Sequence, residues 1–200
     1  APVIEAIGYK TCSDAAETPC THAVPICSLA RCFPSVIPPG NWLERLRNVK
    51  TTTDGVLNIG VTWSGSTTHA NDHNRSAPSR YFRNLNSYGR LYNINTTNTR
   101  TPNIQHIQVS SWMETIRALD SIDLVITVDT SIAHLCGALG LECWVIMPLK
   151  ETDFRWGSAS NGFNNIWYPS VRVIRNPGSW DTAFAMVEVL LREKCSNIVR

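Results

Sequence analysis

Apolar positions in this chain gather into short runs separated by polar turns, and from Val56 onward the runs alternate between strand and helix periods. Val56 to Trp63 reads as a strand, Ser79 to Tyr88 as a helix, and Arg90–Ile94 and Ile104–Gln108 as short strands. Ser111 opens a second helix through Ile116 and Leu119, with Glu114 three residues on as a capping-box partner. The stretch Ser121 to Pro148 then carries strand, turn, helix and strand without a gap. Leu124–Val128 is a β-branched run of the kind buried on both faces of a parallel sheet. Asp129, Thr130 and Ser131 suit a helix start, Ile132–Leu139 forms the helix, Gly140 stands where a C-cap glycine belongs, and Cys143–Met147 returns as a strand. A long irregular loop runs from Pro148 to Pro169. A strand at Val171–Ile174 follows, then a helix from Trp180 to Glu193 whose apolar face is Phe184, Val187, Leu190 and Leu191. This alternation predicts an α/β fold over residues 56–200, a doubly wound, mostly parallel, Rossmann-like sheet with right-handed crossovers.

Residues 1–55 break that pattern. Pro19, Pro25, Pro34, Pro38 and Pro39 interrupt every periodic segment, so an irregular extension or linker is expected, with one short helix at Asn41–Val49 presenting Trp42, Leu43 and Leu46 on one face. Cys12, Cys20, Cys27 and Cys32 crowd this segment around His22, but no C-x-x-C pair occurs, which favours structural or free thiols over a metal site. Cys136 and Cys143 read as small buried hydrophobes.

Composition narrows the function classes. A 43% hydrophobic and 17% charged chain of 200 residues suits one globular domain with a sizeable core. A net charge of +2 without a basic cluster argues against nucleic acid. No apolar run approaches the ~20 residues of a membrane span, and no signal sequence opens the chain, so it reads as soluble and cytoplasmic. It begins at Ala1, as a processed or excised chain would. Asn74-Arg-Ser and Asn95-Thr-Thr match the glycosylation sequon, which carries weight only in a secreted chain.

Two predicted strand ends are conspicuously polar. The first is Trp63-Ser64-Gly65-Ser66-Thr67-Thr68-His69, followed by Asn71, Asp72, His73, Asn74, Arg75 and Ser76; Gly65 permits close backbone approach and Arg75 offers a fork for phosphate oxygens. The second is Asp129-Thr130-Ser131, with His134 one turn on, at a helix start where free N–H groups and the dipole favour an anion. Each has a plainer reading, as a capped turn, a core histidine among Ile132, Ala133 and Leu135, and a solvated loop. Neither a Walker motif nor a glycine-rich dinucleotide fingerprint is present, because the turn after Val128 has no glycine before Gly137.

The series V-T-W-S-G-S, H-A-N-D-H-N-R-S, D-L-V-I-T-V-D-T-S-I-A-H-L-C-G-A-L-G, W-V-I-M-P, D-F-R-W and W-Y-P-S-V-R, in that order over about residues 56–193, resembles the carboxyl half of heptosyltransferase-like (family 9-like) glycosyltransferases. The nearest resemblance is to those found behind tetratricopeptide repeats. It implies a GT-B half-molecule that holds a nucleotide-diphosphate sugar, with Asp129, Thr130, Ser131 and His134 in the diphosphate corner. It also implies that Ser64, Gly65, Asn71 and Arg75 form the facing loop, and that Asp153, Arg155 and Trp156 lie near the sugar or base. The expected reaction is metal-independent, inverting transfer to a hydroxyl acceptor (glycan, lipid or protein), with neither cofactor nor metal. Departing diphosphate charge would be stabilised by N–H groups and an arginine. No catalytic base is assigned; His69, Asp72 and His73 are candidates by proximity alone. Residues 1–55 are too few for the amino-terminal Rossmann domain that a complete enzyme of this kind has, although P-I-C-S-L-A-R resembles that domain's tail. A companion domain or homo-oligomer is therefore expected. The alternative is a non-catalytic nucleotide-binding or partner-docking module, or, for the cysteine-rich segment, an assembly arm.

Overall fold

The computed structural model describes residues 40–50, 52, 54–95, 101–148, 150, 152–157, 162–165 and 167–198. Cys12, Cys20, Cys27, Cys32 and His22 lie outside them. Six strands form one sheet, β1 (Leu57–Thr62), β2 (Gly89–Asn93), β3 (Gln105–His106), β4 (Leu124–Val128), β5 (Cys143–Met147) and β6 (Val171–Arg175), in the spatial order β3-β2-β1-β4-β5-β6. Every neighbouring pair is parallel. The α/β doubly wound reading therefore holds. The chain lays strands outward on one side of β1, then returns to place β4 against its other side, and the order reverses at the β1/β4 boundary. That boundary is where open α/β sheets leave a crevice beyond the strands' carboxyl ends.

Among the described residues the helices are α1 (Asp72–Arg75), α2 (Ser79–Arg83), α3 (Trp112–Ala118), α4 (Ser131–Ala138) and α5 (Trp180–Ile198). Side-chain alternation assigns each strand's residues to two cores. Cys143, Val145 and Met147 of β5 join Ile132, Cys136 and Ile116 on the α3/α4 face, whereas Trp144 and Ile146 join Phe82, Phe184 and Val187 on the α2/α5 face. Both faces are covered, which is why β4 and β5 are apolar at every position and buried throughout. Cys136 and Cys143 are both free and fully buried, as small hydrophobes.

Several boundaries differ from the sequence expectation for local reasons. The helix expected over Ser79–Tyr88 stops at Arg83 and tightens into a 3-10 turn, Asn84–Ser87, where Asn84, Asn86 and Ser87 are weak helix formers. The capping box is displaced by one residue. Ser111 Oγ accepts from the Glu114 N–H at 3.2 Å, but the Glu114 carboxylate reaches back to the N–H and hydroxyl of Ser110, both at 2.7 Å. These bonds hold the Glu114 carboxyl below its ordinary pKa. The final helix continues past Glu193 to Ile198. Asn41–Val49 yields only a 3-10 turn at Glu44–Leu46, with Leu43 buried and Trp42 exposed, so Trp42 leaves the expected apolar face.

The part of the amino-terminal segment that is described is packed on the sheet. Leu43 donates its N–H to Ala138 O at 2.7 Å, closing the end of α4, and Lys50 donates to Asp120 O at 2.9 Å. The Arg47 guanidinium bonds the carbonyls of Leu119 and Ile122 at 3.2 and 3.3 Å. Gly40 touches Tyr168 and Pro169 so closely that a side chain there would collide with the proline ring. Residues 40–50 thus belong to the same body as the described residues of the sheet. Among the described residues no helix is long and apolar enough to cross a membrane.

Candidate functional site

Both polar strand ends noted in the sequence reach the point where strand order reverses. β1 delivers Trp63, Ser64 and Gly65, and β4, paired with β1 through Thr62 and Thr127, delivers Asp129, Thr130 and Ser131. One side chain joins the two loops. Arg75, at the end of α1, donates from Nη1 to Asp129 O (3.1 Å), from Nη2 to Ser66 O (3.2 Å) and from Nε to Asp72 Oδ1 (3.2 Å). Its side chain is 11% exposed. A guanidinium has five N–H donors in a rigid fork, so these bonds fix its plane and leave two donors beyond them.

Asp72 organises the first loop. Its Oδ1 accepts from Arg75 Nε and from Ser76 Oγ at 2.9 Å, while Ser76 Oγ accepts from the Gly65 N–H at 3.3 Å. That oxygen acts as a loop clasp. His69 holds the next turn through its Nδ1, which accepts from the Asn71 N–H at 3.1 Å, and Asn71 Oδ1 accepts from Asn74 Nδ2 at 2.6 Å. His73 is exposed on α1. The role expected of Gly65 changes: a Cβ there would lie 2.6 Å from Arg75 Cζ, so the absence of a side chain makes room for the guanidinium itself.

At the second loop the N-cap is Thr130, in extended backbone, with no side-chain cap bond. Its Oγ1 instead lies 3.2 Å from Thr127 Oγ1 in the buried layer beneath. The start of α4 therefore keeps N–H donors that no capping side chain takes, with Ser131 exposed as its first residue. Asp129 is not the cap. Its Oδ1 accepts from Trp156 Nε1 at 2.8 Å, so the carboxylate anchors the long loop after β5.

That loop is built around Trp156, which is fully buried and lies in a 3-10 turn, Phe154–Trp156. Arg175 Nη2 donates to Trp156 O at 2.8 Å, and Asn165 Nδ2 donates to Arg155 O at 2.9 Å while its Oδ1 accepts from the N–H groups of Trp167 and Tyr168. His134 stacks on the Trp156 ring at 4.6 Å and meets the Tyr168 ring edge-on at 5.7 Å. Burial, aided by the Arg155 charge, lowers the His134 pKa; Asp129 and Asp153 oppose the shift. Arg155 forms a two-point pair with Asp153, Nε at 2.8 Å and Nη2 at 2.6 Å, which draws the Asp153 carboxyl below its usual range.

The structure thus brings together Ser64, Gly65, Arg75, Asp129, Thr130 and Ser131 at the crevice. Asn71 stands one turn away in the first loop. Trp156 supports the corner from beneath through Asp129 and His134, and its complete burial keeps it from direct contact with a ligand in this conformation. Asn165 and the clasp role of Asp72 were not legible in sequence, because both act by ordering loops whose backbone path no periodicity encodes. Among the described residues no group of three His, Cys, Asp or Glu side chains is placed to hold a metal ion.

A groove of about 490 Å³, lined by Val56, Leu57, Tyr88, Gly89, Arg90 and Cys195 among others, opens at the strands' amino ends. Its cation is already paired, Arg90 with Asp54, and its thiol donates to Tyr88 O at 3.7 Å. The chemistry gathers at the opposite end of the sheet, and we place the candidate site there. Comparison of the chain with protein-family models, with curated proteins and with solved structures finds no match.

Proposed function

We propose that the crevice beyond β1 and β4 binds the diphosphate of a nucleotide-diphosphate sugar, and that the chain is the donor-binding half of a heptosyltransferase-like glycosyltransferase. The observation that carries this reading is the Arg75 bond to Asp129 O at 3.1 Å, which fixes a cation between two polar loops at the strand-order reversal. Beside it lies the α4 start, whose N-cap Thr130 spends its hydroxyl on Thr127. An immobilised guanidinium and unspent helix N–H groups favour a developing diphosphate charge without needing reorganisation. Transfer would be metal-independent and inverting, to a hydroxyl acceptor of a glycan, lipid or protein, with no cofactor beyond the sugar nucleotide.

A second reading is a non-catalytic module that binds the nucleotide or docks a partner. It is favoured by the described residues forming one sheet and hence one wall of a cleft. Hydrolysis or transfer of donor by this chain alone would support the enzyme, and binding without turnover the module.

Both readings share the diphosphate, and calorimetric titration with ADP, GDP and UDP tests it. We expect binding, weakened at least tenfold by Arg75→Ala and severalfold by Ser131→Ala, each charge-assisted bond to phosphate being worth about 1.5–3 kcal/mol. Absence of binding at millimolar nucleotide, or affinity indifferent to both changes, would sink the proposal.

A further inference from the structure

At the start of α4 stands a good capping residue whose hydroxyl does not cap the helix. Thr130 has φ −141° and ψ 169°, the extended backbone from which a threonine side chain ordinarily accepts an N–H of the first turn. No such bond forms. The hydroxyl lies instead 3.2 Å from Thr127 Oγ1, and both residues are buried, Thr130 at 7% exposure and Thr127 at 0%. Thr127 gives its own hydroxyl proton to Val128 O at 2.8 Å, so toward Thr130 its oxygen is the acceptor.

Strand alternation sets this contact on the α4 side of the sheet. Leu124, Ile126 and Val128 belong to the α2/α5 core and Val125 to the α3/α4 core, so Thr127 shares the Val125 face. The register pairs Thr127 with Thr62 of β1, and Thr62 lies on the same face, because Val61 and Trp63 point into the α2/α5 core. The buried Thr62 Oγ1 has no hydrogen-bond partner. Two threonines are thus neighbours in register beneath the corner, and of the two it is Thr127 that engages the loop above.

We propose that Thr127 is a positioning residue of the diphosphate corner: it draws the Thr130 hydroxyl down into the core and so keeps the first-turn N–H groups of α4 available to an anion. Once that acceptor is gone, a rotation about the first side-chain bond of Thr130 turns its oxygen onto the helix and satisfies those donors from within. The chain's own cap and the ligand compete for the same N–H groups. The inference rests on the diphosphate reading, and adds to it the residue that holds the corner uncapped from beneath without touching the ligand.

The test combines calorimetric titration with inorganic pyrophosphate and ADP and, without ligand, amide hydrogen exchange at Ile132 and Ala133, the two N–H groups within reach of an N-cap hydroxyl. In Thr127→Val, which keeps the shape and removes the hydroxyl, exchange at one or both should slow. Both ligands should then bind about fivefold more weakly, the worth of one cap. Thr127→Ser, which restores the acceptor, should match the unaltered chain in both measurements. In a Thr130→Val background the same Thr127→Val change should cost nothing further, since no hydroxyl is left to turn. Thr62→Val removes a buried hydroxyl one strand away and should change neither readout; if valine at 127 does not fold, Thr127→Ala gives the same comparison. Unaltered exchange or affinity in Thr127→Val, no recovery with serine, an equal loss in the Thr130→Val background, or a loss matched by Thr62→Val would each overturn the assignment and leave the diphosphate corner standing. Failure of the unaltered chain to bind either ligand would remove both.

Discussion

His134 shows how one side chain can be misjudged from its neighbours in sequence. Flanked by apolar residues on a short helix, it reads either as a core histidine or as a phosphate contact, and the structure gives it a third setting, stacked between the Trp156 face and the Tyr168 edge. That setting has a measurable electrostatic result. The folded state lowers the pKa of His134 below its ordinary 6.5, so below that pH the unfolded chain binds more protons than the folded one. Stability from this group is complete above about 6.5 and falls as pH drops toward the lowered value. Unfolding in denaturant at successive pH values should show this decline beginning near pH 6.5, and His134→Phe should remove it. The loss caused by Asp153, whose carboxyl is depressed by Arg155, begins only below about pH 4 and should persist in that variant. A decline unchanged in His134→Phe would refute the assignment.

Among the elements, α4 begins at one of the two loops of the site and is held by contacts that the sequence marks only faintly. Its strand–turn–helix–strand surroundings were legible from Leu124 to Met147 because both flanking strands are fully buried and the Gly140 stop adopts the left-handed φ of 67°. Its true cap was not, since Asp129 and Thr130 are both good cap residues and only the Trp156 indole decides which faces away. Nor was its docking. Gly137 lies against the Tyr168 ring, and a Cβ would stand 2.7 Å from Tyr168 Cβ, well inside van der Waals contact. We expect Gly137→Ala to lower stability by about 1–3 kcal/mol through overpacking, despite alanine's better helix propensity. Chemical denaturation checks this; a neutral or stabilising effect would mean that the Tyr168 loop moves aside freely. Elsewhere β3 was overestimated at five residues because Ile104–Gln108 has strand composition, whereas only Gln105 and His106 pair as strand residues, with Ile107 adding one N–H bond to Asn93 O at the sheet edge.

For the molecule as a whole, the two halves of the sheet meet at β1 and β4, and the loops above that seam are bridged by Arg75. The fold class could be read from alternation alone, but the strand order could not, because pairing across the reversal depends on contacts distant in sequence. The two polar loops were each visible; their meeting was not. Arg75→Lys keeps the charge and loses the fork, so it should loosen both loops at once. Amide hydrogen exchange should quicken over residues 64–71 and 129–131 together while β5 and β6 keep their protection. Faster exchange in one loop alone would show that Arg75 serves that loop and does not join the halves. The described amino-terminal segment adds a practical boundary. Leu43 fills the core and closes the end of α4, and Arg47 ties down the turn before β4. A trimmed version of this domain designed for crystallisation or labelling must therefore begin no later than Gly40, for one cut at the first strand would leave a hole beneath α4.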